Sequence, residues 1–218
     1  MKPIELLQKH CEFKNSYDCY VLFAVSRKKD VPEITNSQEI VFREVIKGEE
    51  DIIRKYNKLK SCIINYKDER GKSFPFYLYV SLNARDSKKA TFVLLNKIHK
   101  WIEEETDGVD RSAMFKKIHG HFYSALMTEA SRTKHQRYFM LDIDTKSYDS
   151  IANIRKELNK IDAHICMEQE TKNGWHFKTE PFNRILFYRG ETLRLFNVEV
   201  KTDANFFVEY VENKEEKK

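Results

Sequence analysis

The chain has 218 residues, 41% of them hydrophobic and 13% aromatic, enough for one large domain or two lobes sharing a core, and too apolar for a disordered chain. A formal charge of +5 and a pI near 8.8 are compatible with a polyanionic partner without requiring one. No stretch approaches the roughly 20 apolar residues of a membrane span, no apolar leader follows Met1, and Cys11, Cys19, Cys62 and Cys166 lack C-x-x-C spacing; the expectation is a cytoplasmic protein with free thiols, no closed zinc site and no membrane partner.

Residues 19–26 (CYVLFAVS) are a short apolar run of β-formers and are expected as a strand, with a loop over 27–32. Residues 38–45 (QEIVFREV) alternate as a second strand. Residues 48–59 open with Glu49, Glu50 and Asp51 and place Ile52, Ile53, Tyr56 and Leu59 at helical spacing, the acids complementing the helix dipole. Residues 62–66 and 76–82 are expected as a hairpin with a long turn around Gly71-Lys72-Ser73. Residues 87–105 form a helix with an apolar stripe of Phe92, Leu95, Ile98, His99 and Ile102, ended by Thr106-Asp107-Gly108. Residues 112–130 are a further helix interrupted by Gly120.

The character changes after the polar stretch 131–136. Residues 137–142 (RYFMLD) are nearly all apolar until the acid, the pattern of a central strand covered on both faces. Residues 148–158 make an amphipathic helix with Ile151, Ile154 and Leu158 inward. Strands are expected at 163–167, 174–178 and 185–188, then a hairpin of 198–200 with 206–211 turning at Lys201-Thr202-Asp203; the charged tail 213–218 is expected to fray. The organisation predicted is an N-terminal α/β lobe, residues 1–133, and a β-α-β-β lobe, residues 134–212, sharing a cleft. The fold class is α+β, with an RRM-like (ferredoxin-like) sheet bearing helices on one face.

Asp142 and Asp144 are the first chemistry-bearing pair. Residues two apart on a strand share a face, so both carboxylates project together and suit Mg²⁺ or Mn²⁺ bridged to phosphate. The alternative is an ordinary strand end in which Asp144 starts a turn or caps a helix. The second element is Thr171-Lys172-Asn173-Gly174-Trp175-His176, a glycine turn leading to a histidine, bracketed by Lys172 and Lys178. Such a corner can bind a triphosphate through backbone N–H groups and the imidazole. Asn173-Gly174 is also a strong hairpin signal by itself.

In order, strand, D-x-D, helix, strand, turn and G-x-H resemble the archaeo-eukaryotic primase superfamily, which includes primase-polymerases of viruses and mobile elements. FMLDID (residues 139–144) matches its D-x-D motif, TKNGWH (171–176) its small-residue turn to histidine, and VEVKTDANFFVEY (198–210) holds the late acid, Asp203 ahead of Glu199. The resemblance implies that Asp142, Asp144 and Asp203 (or Glu199) coordinate two Mg²⁺ or Mn²⁺ ions and that His176 contacts the phosphates of an incoming NTP or dNTP. The implied reaction is attack of a 3′-hydroxyl on an α-phosphate along a DNA or RNA template. No zinc-binding cysteine cluster and no helicase domain accompany the motifs, so the chain is expected as a minimal core or one subunit working with a helicase or other replication protein.

Arg85, Lys88 and Lys89, at the start of a predicted helix, form a candidate phosphate-contacting patch beside its N-terminus, with a solvated helix face as the alternative. Gly71-Lys72-Ser73 is no phosphate loop, because Tyr66 stands where that motif needs glycine. His119 and His121 point apart on a helix and are read as structural. Lys146 departs from the dehalogenase-type phosphatase pattern. Three functions follow: a primase-polymerase-like nucleotidyltransferase, a non-catalytic nucleic-acid-binding protein on the same fold, and a metal-dependent phosphoesterase acting on nucleotides.

Overall fold

The computed structural model describes residues 1–28, 31, 39–134, 137–189 and 198–212; the expected tail over 213–218, Gln38 at the start of the second predicted strand, and parts of the 27–32 loop and the 131–136 stretch lie outside them. The described residues form an α+β fold of two antiparallel sheets with helices. None of the described helices is long and apolar enough to cross a membrane.

The first sheet runs in the order β2 (Ile40–Ile46), β1 (Asp18–Ser26), β3 (Phe76–Ser81), β9 (Asn205–Val211), with the short β4 (Arg85–Asp86) pairing the start of β1. Period-2 alternation sends Tyr20, Leu22 and Ala24 of β1, Phe76, Leu78 and Val80 of β3, and Phe206 and Val208 of β9 into one core. That core is closed by Leu6 and Leu7 of α1 (Pro3–His10) and by Ile52, Tyr56, Leu59 and Ile63 of α2 (Asp51–Ile64). The i, i+4, i+7, i+11 spacing of the last four explains why residues 62–66 do not form the expected strand: Ile63 extends a stripe already buried. The other face of the sheet carries Val21, Phe23, Val25, Tyr77, Tyr79 and Phe207.

Beside the β1–β2 end lie α3 (Ser87–Thr106), α4 (Ser112–Lys116), α5 (Ile118–Leu126) and a 3₁₀ turn (Glu129–Ser131), joined to the sheet through Ala90, Ala125 and Leu126. The expected helix over 112–130 is thus three pieces, broken at Lys117 rather than at Gly120. The stripe expected to bury α3 stays largely in solvent, with Phe92, Leu95 and Ile102 more than half exposed (57%, 52% and 52%).

The second sheet runs β6 (Ile165–Glu170), β7 (Trp175–Thr179), β5 (Phe139–Ile143), β8 (Val198–Lys201), every neighbouring pair antiparallel. Leu141, Ile143, Phe177 and Val200 pack one face onto Ile151, Ile154 and Leu158 of α6 (Tyr148–Lys160) and Phe187 of α7 (Arg184–Arg189). Residues 185–188, expected as a strand, are therefore helical: the Asn183 side chain accepts the N–H groups of Ile185 (3.0 Å) and Leu186 (3.3 Å), an N-cap that starts a turn of helix. The opposite face, with Met140, Asp142 and His176, looks across at the first sheet.

The expected hairpin of 198–200 with 206–211 does not form. β8 pairs β5 in the second sheet and β9 pairs β3 in the first, so the Lys201–Ala204 segment carries the chain from one sheet to the other. Asn83 stitches this crossing, donating to the carbonyls of Thr202 (3.3 Å) and Tyr138 (3.2 Å) and accepting the Tyr138 N–H (2.6 Å). The last strand, grouped by the sequence with the C-terminal lobe, completes the N-terminal sheet.

Candidate functional site

A cleft of about 580 Å³ opens between the two sheets. Asp142, Asp144, Lys172, His176 and Asp203 all line it, together with Arg27, Arg43 and Lys201. Register explains the convergence on the second sheet: Asp142 is the cross-strand partner of His176 on one side and of Glu199 on the other, and Gln169 follows His176. Directly opposed residues share a face, and of this row Asp142 and His176 line the cleft.

The histidine is held from both sides. The N–H of Phe207, on the first sheet, donates to His176 Nδ1 (3.1 Å). Because Nδ1 accepts, the neutral ring carries its proton on Nε2, and Nε2 faces Asp142 Oδ1 at 3.3 Å. His176 thereby ties the sheets together and orients the aspartate. The other carboxylate oxygen, Oδ2, accepts from Lys201 Nζ (2.6 Å), and the same ammonium reaches Glu199 Oε2 (3.1 Å). The hydrogen bond from His176 chiefly holds the Asp142 carboxyl well below the usual carboxylate range; burial opposes this and Lys201 adds to it. Burial alone lowers the Lys201 value, but Asp142 and Glu199 overcome that and raise it.

The glycine of the turn has a steric reason. A Cβ on Gly174 would sit 1.8 Å from the carbonyl oxygen of Ile143 and 2.9 Å from the Thr145 nitrogen. Only glycine lets the turn press on the backbone either side of Asp144. Thr171 closes the turn, its N–H donating to Gly174 O (2.8 Å) and its Oγ1 accepting the Gly174 N–H (3.1 Å). The turn thus lies over the end of β5, and Lys172 extends over the Tyr77 ring (5.7 Å). Asp144 does not cap the following helix: Ser147 does, its hydroxyl accepting the Ser150 N–H. Asp144 is left exposed at the cleft.

Asp203 lines the cleft but is engaged elsewhere. Arg85 forks onto it, Nη1 to Oδ2 at 3.2 Å and Nη2 to Oδ1 at 2.5 Å, and Arg132 Nε lies 3.8 Å away. Arg85 is 1% exposed, which overturns its expected place on a phosphate-contacting surface: the bidentate pair locks the sheet crossing to β4. Lys178 is likewise buried, its Nζ donating to the His10 carbonyl (3.1 Å) and lying 3.9 Å over the Tyr138 ring, so it is not beside the turn as expected. Lys88 sits over the Tyr17 ring (5.5 Å) and does not line the cleft. Among the described residues, Asp142, Asp144 and Asp203 do not form a set of three ligand atoms within 4.8 Å of one another. For a divalent ion the donor set is therefore two carboxylates in the cleft, with Glu199 beside Asp142 in the ladder and Asp203 already paired.

Two features escaped sequence reading. The sequence predicts a turn at Lys201-Thr202-Asp203, whereas the alternation of VEVK puts Glu199 and Lys201 on one face of β8. The facing wall is aromatic: Phe23 stacks on Tyr79 (5.6 Å between centroids), Tyr79 meets Phe207 edge-on (5.8 Å), and Arg27 lies over Tyr77 and Tyr79 while donating to the Tyr79 hydroxyl (3.0 Å).

Comparison with protein-family models, with curated proteins and with solved structures finds no match to this chain.

Proposed function

We propose that the chain is a primase-polymerase-like nucleotidyltransferase that takes NTP or dNTP on a DNA or RNA template into the cleft between the sheets. The observation that carries this is the meeting of the D-x-D and G-x-H motifs in one cleft, Asp142 opposite His176 in the ladder. The chain path of the second sheet, strand-helix-strand-strand-helix-strand in the order β6-β7-β5-β8, is that of a split βαβ unit and supports the RRM-like reading. The aromatic wall with Arg27 offers a surface on which a base can stack, and Lys172 and Lys201 offer cations to a polyphosphate.

Mg²⁺ or Mn²⁺ held by Asp142 and Asp144, with Glu199 or Asp203 as third acid, would supply activation of the attacking hydroxyl and stabilisation of the leaving phosphate. The residues fit such an ion in part: Asp142 is held ionised, and the ammonium of Lys201 marks a place where positive charge is already stabilised. His176, fixed in one tautomer by the Phe207 N–H, holds Asp142 in one orientation.

The test is incorporation of labelled NTP or dNTP on primed and unprimed templates with Mn²⁺. Asp142→Asn and His176→Ala are expected to abolish it; no incorporation by the wild type with any template, or equal rates in the variants, sinks the reading. A second reading, a non-catalytic nucleic-acid-binding protein, is favoured by the prior commitment of Asp142 to Lys201 and of Asp203 to Arg85. Salt-sensitive binding that needs no metal and survives loss of both aspartates supports it. Phosphate release with Mg²⁺ but no incorporation points instead to a phosphoesterase.

A further inference from the structure

We propose a second metal site, for a borderline divalent cation of the Zn²⁺ class, at His164, Cys166 and Glu180. It lies at the far end of the second sheet from the cleft, four residues along the β7 direction from His176, roughly 13 Å away. The three side chains offer imidazole nitrogen, thiolate sulfur and carboxylate oxygen, and their ligand atoms all lie within 4.8 Å of one another, the one such set among the described residues.

The backbone builds this set. Glu180 N–H donates to the His164 carbonyl (3.0 Å), so those two residues face each other just beyond the β6–β7 ladder. Cys166 is two residues along from His164 and therefore on its side of the strand. The register slips at this point: Ile165 pairs Thr179 and Met167 pairs Lys178, which leaves Cys166 as the extra residue of a β-bulge. The bulge leaves Cys166 without a ladder partner of its own, and its thiol lies beside the imidazole of His164.

The separations suit coordination. Bonds of about 2.3 Å to sulfur and about 2.0–2.2 Å to nitrogen and oxygen, held at the tetrahedral angle, put donor atoms roughly 3.3–3.6 Å apart. His164 Nδ1 lies 3.7 Å from Cys166 Sγ and 3.8 Å from Glu180 Oε1, so an ion needs only a small inward movement of side chains that are largely free to move. His164 and Glu180 are 68% and 62% exposed, which leaves the fourth position open to water or a further ligand. Thiolate and imidazole select Zn²⁺ over Mg²⁺ or Mn²⁺, the reverse of the all-oxygen donors at Asp142 and Asp144. The absence of C-x-x-C spacing excludes only a closed thiolate cage; this site uses one cysteine.

The test uses the full chain with Zn²⁺ or Co²⁺ alone. The expected result is one thiolate-bound ion per chain, with a thiolate-to-cobalt charge-transfer band that vanishes in Cys166→Ser. His164→Ala and Glu180→Gln are expected to weaken Zn²⁺ binding by about tenfold or more. Cys62→Ser, which removes the exposed thiol outside the site, is expected to change nothing, and in that background Zn²⁺ should slow alkylation of the half-buried Cys166. Unchanged binding in Cys166→Ser, no Zn²⁺ bound at micromolar concentration, or alkylation unaffected by Zn²⁺ overturns the site.

Discussion

His176 Nε2 and Asp142 Oδ1 lie 3.3 Å apart across the β5–β7 ladder, while the other nitrogen of the same ring accepts the backbone N–H of Phe207 from the opposite sheet. One imidazole thus fixes both the orientation of an acid and the spacing of the two walls of the cleft. His176→Gln keeps polar capacity but cannot present both groups in the same geometry. It is expected to open the cleft and to lower stability by about 1–3 kcal/mol, the cost of leaving a buried donor unpaired. Urea denaturation and hydrogen exchange at Phe207 check this; full protection of that amide in the variant contradicts it.

The Asp142 carboxyl is held below its ordinary value in the folded protein, so the unfolded chain binds the proton more tightly. Its stabilisation is present above the unfolded value of about 3.9 and is lost as pH falls through it toward the lower folded value. Asp142 and Lys201 are 28% and 31% exposed, so screening limits the contribution to about 1 kcal/mol or less. Urea midpoints of wild type and Asp142→Asn should converge below roughly pH 4. A difference that stays constant into acid is the contrary result.

Lys201 competes for the oxygen that a divalent ion in the cleft needs. Lys201→Gln is expected to tighten Mn²⁺ binding several-fold, read by electron paramagnetic resonance of free Mn²⁺, because removing a resident cation leaves Asp142 and Glu199 unneutralised. Mn²⁺ affinity that is unchanged would show that Asp142 is not a ligand.

Arg85 and Asp203 are expected to behave as a structural pair. Arg85→Ala removes a fully buried cation from its carboxylate and should cost about 3 kcal/mol. Arg85→Lys should rescue little, because a single ammonium cannot reproduce the fork. Thermal unfolding measures both, and near-wild-type stability of Arg85→Ala is the failing outcome.

Gly174→Ala drives a methyl into the Ile143 carbonyl, a backbone atom with little room to yield. Destabilisation of about 1–3 kcal/mol is expected, with loss of any activity of the cleft, since the turn must lift from the strand end that carries Asp144. Retention of wild-type stability and activity would mean that the turn moves freely.

Local pattern was legible in the sequence. Alternation marked β2, runs of apolar and β-forming residues marked β1, β3, β5 and β7 to within a few residues, helical spacing marked α2, α3 and α6, and the D-x-D and G-x-H motifs pointed to residues that do share a cleft. These are properties of neighbours along the chain, where side-chain direction follows from a period of 2 or 3.6. Pairing between distant strands decided the rest. Val198–Lys201 and Asn205–Val211 look like a hairpin by proximity, yet they complete different sheets because each finds its hydrogen-bonding partner far back in the chain, at β5 and β3. That division buried Arg85 against Asp203 and brought Lys201 to Asp142. The opening acid pair of the sequence, Asp142 and Asp144, was readable from spacing alone. That Asp142 already holds a lysine and a histidine was settled only by the pairing of β5 with β7 and β8, strands that lie well after it along the chain.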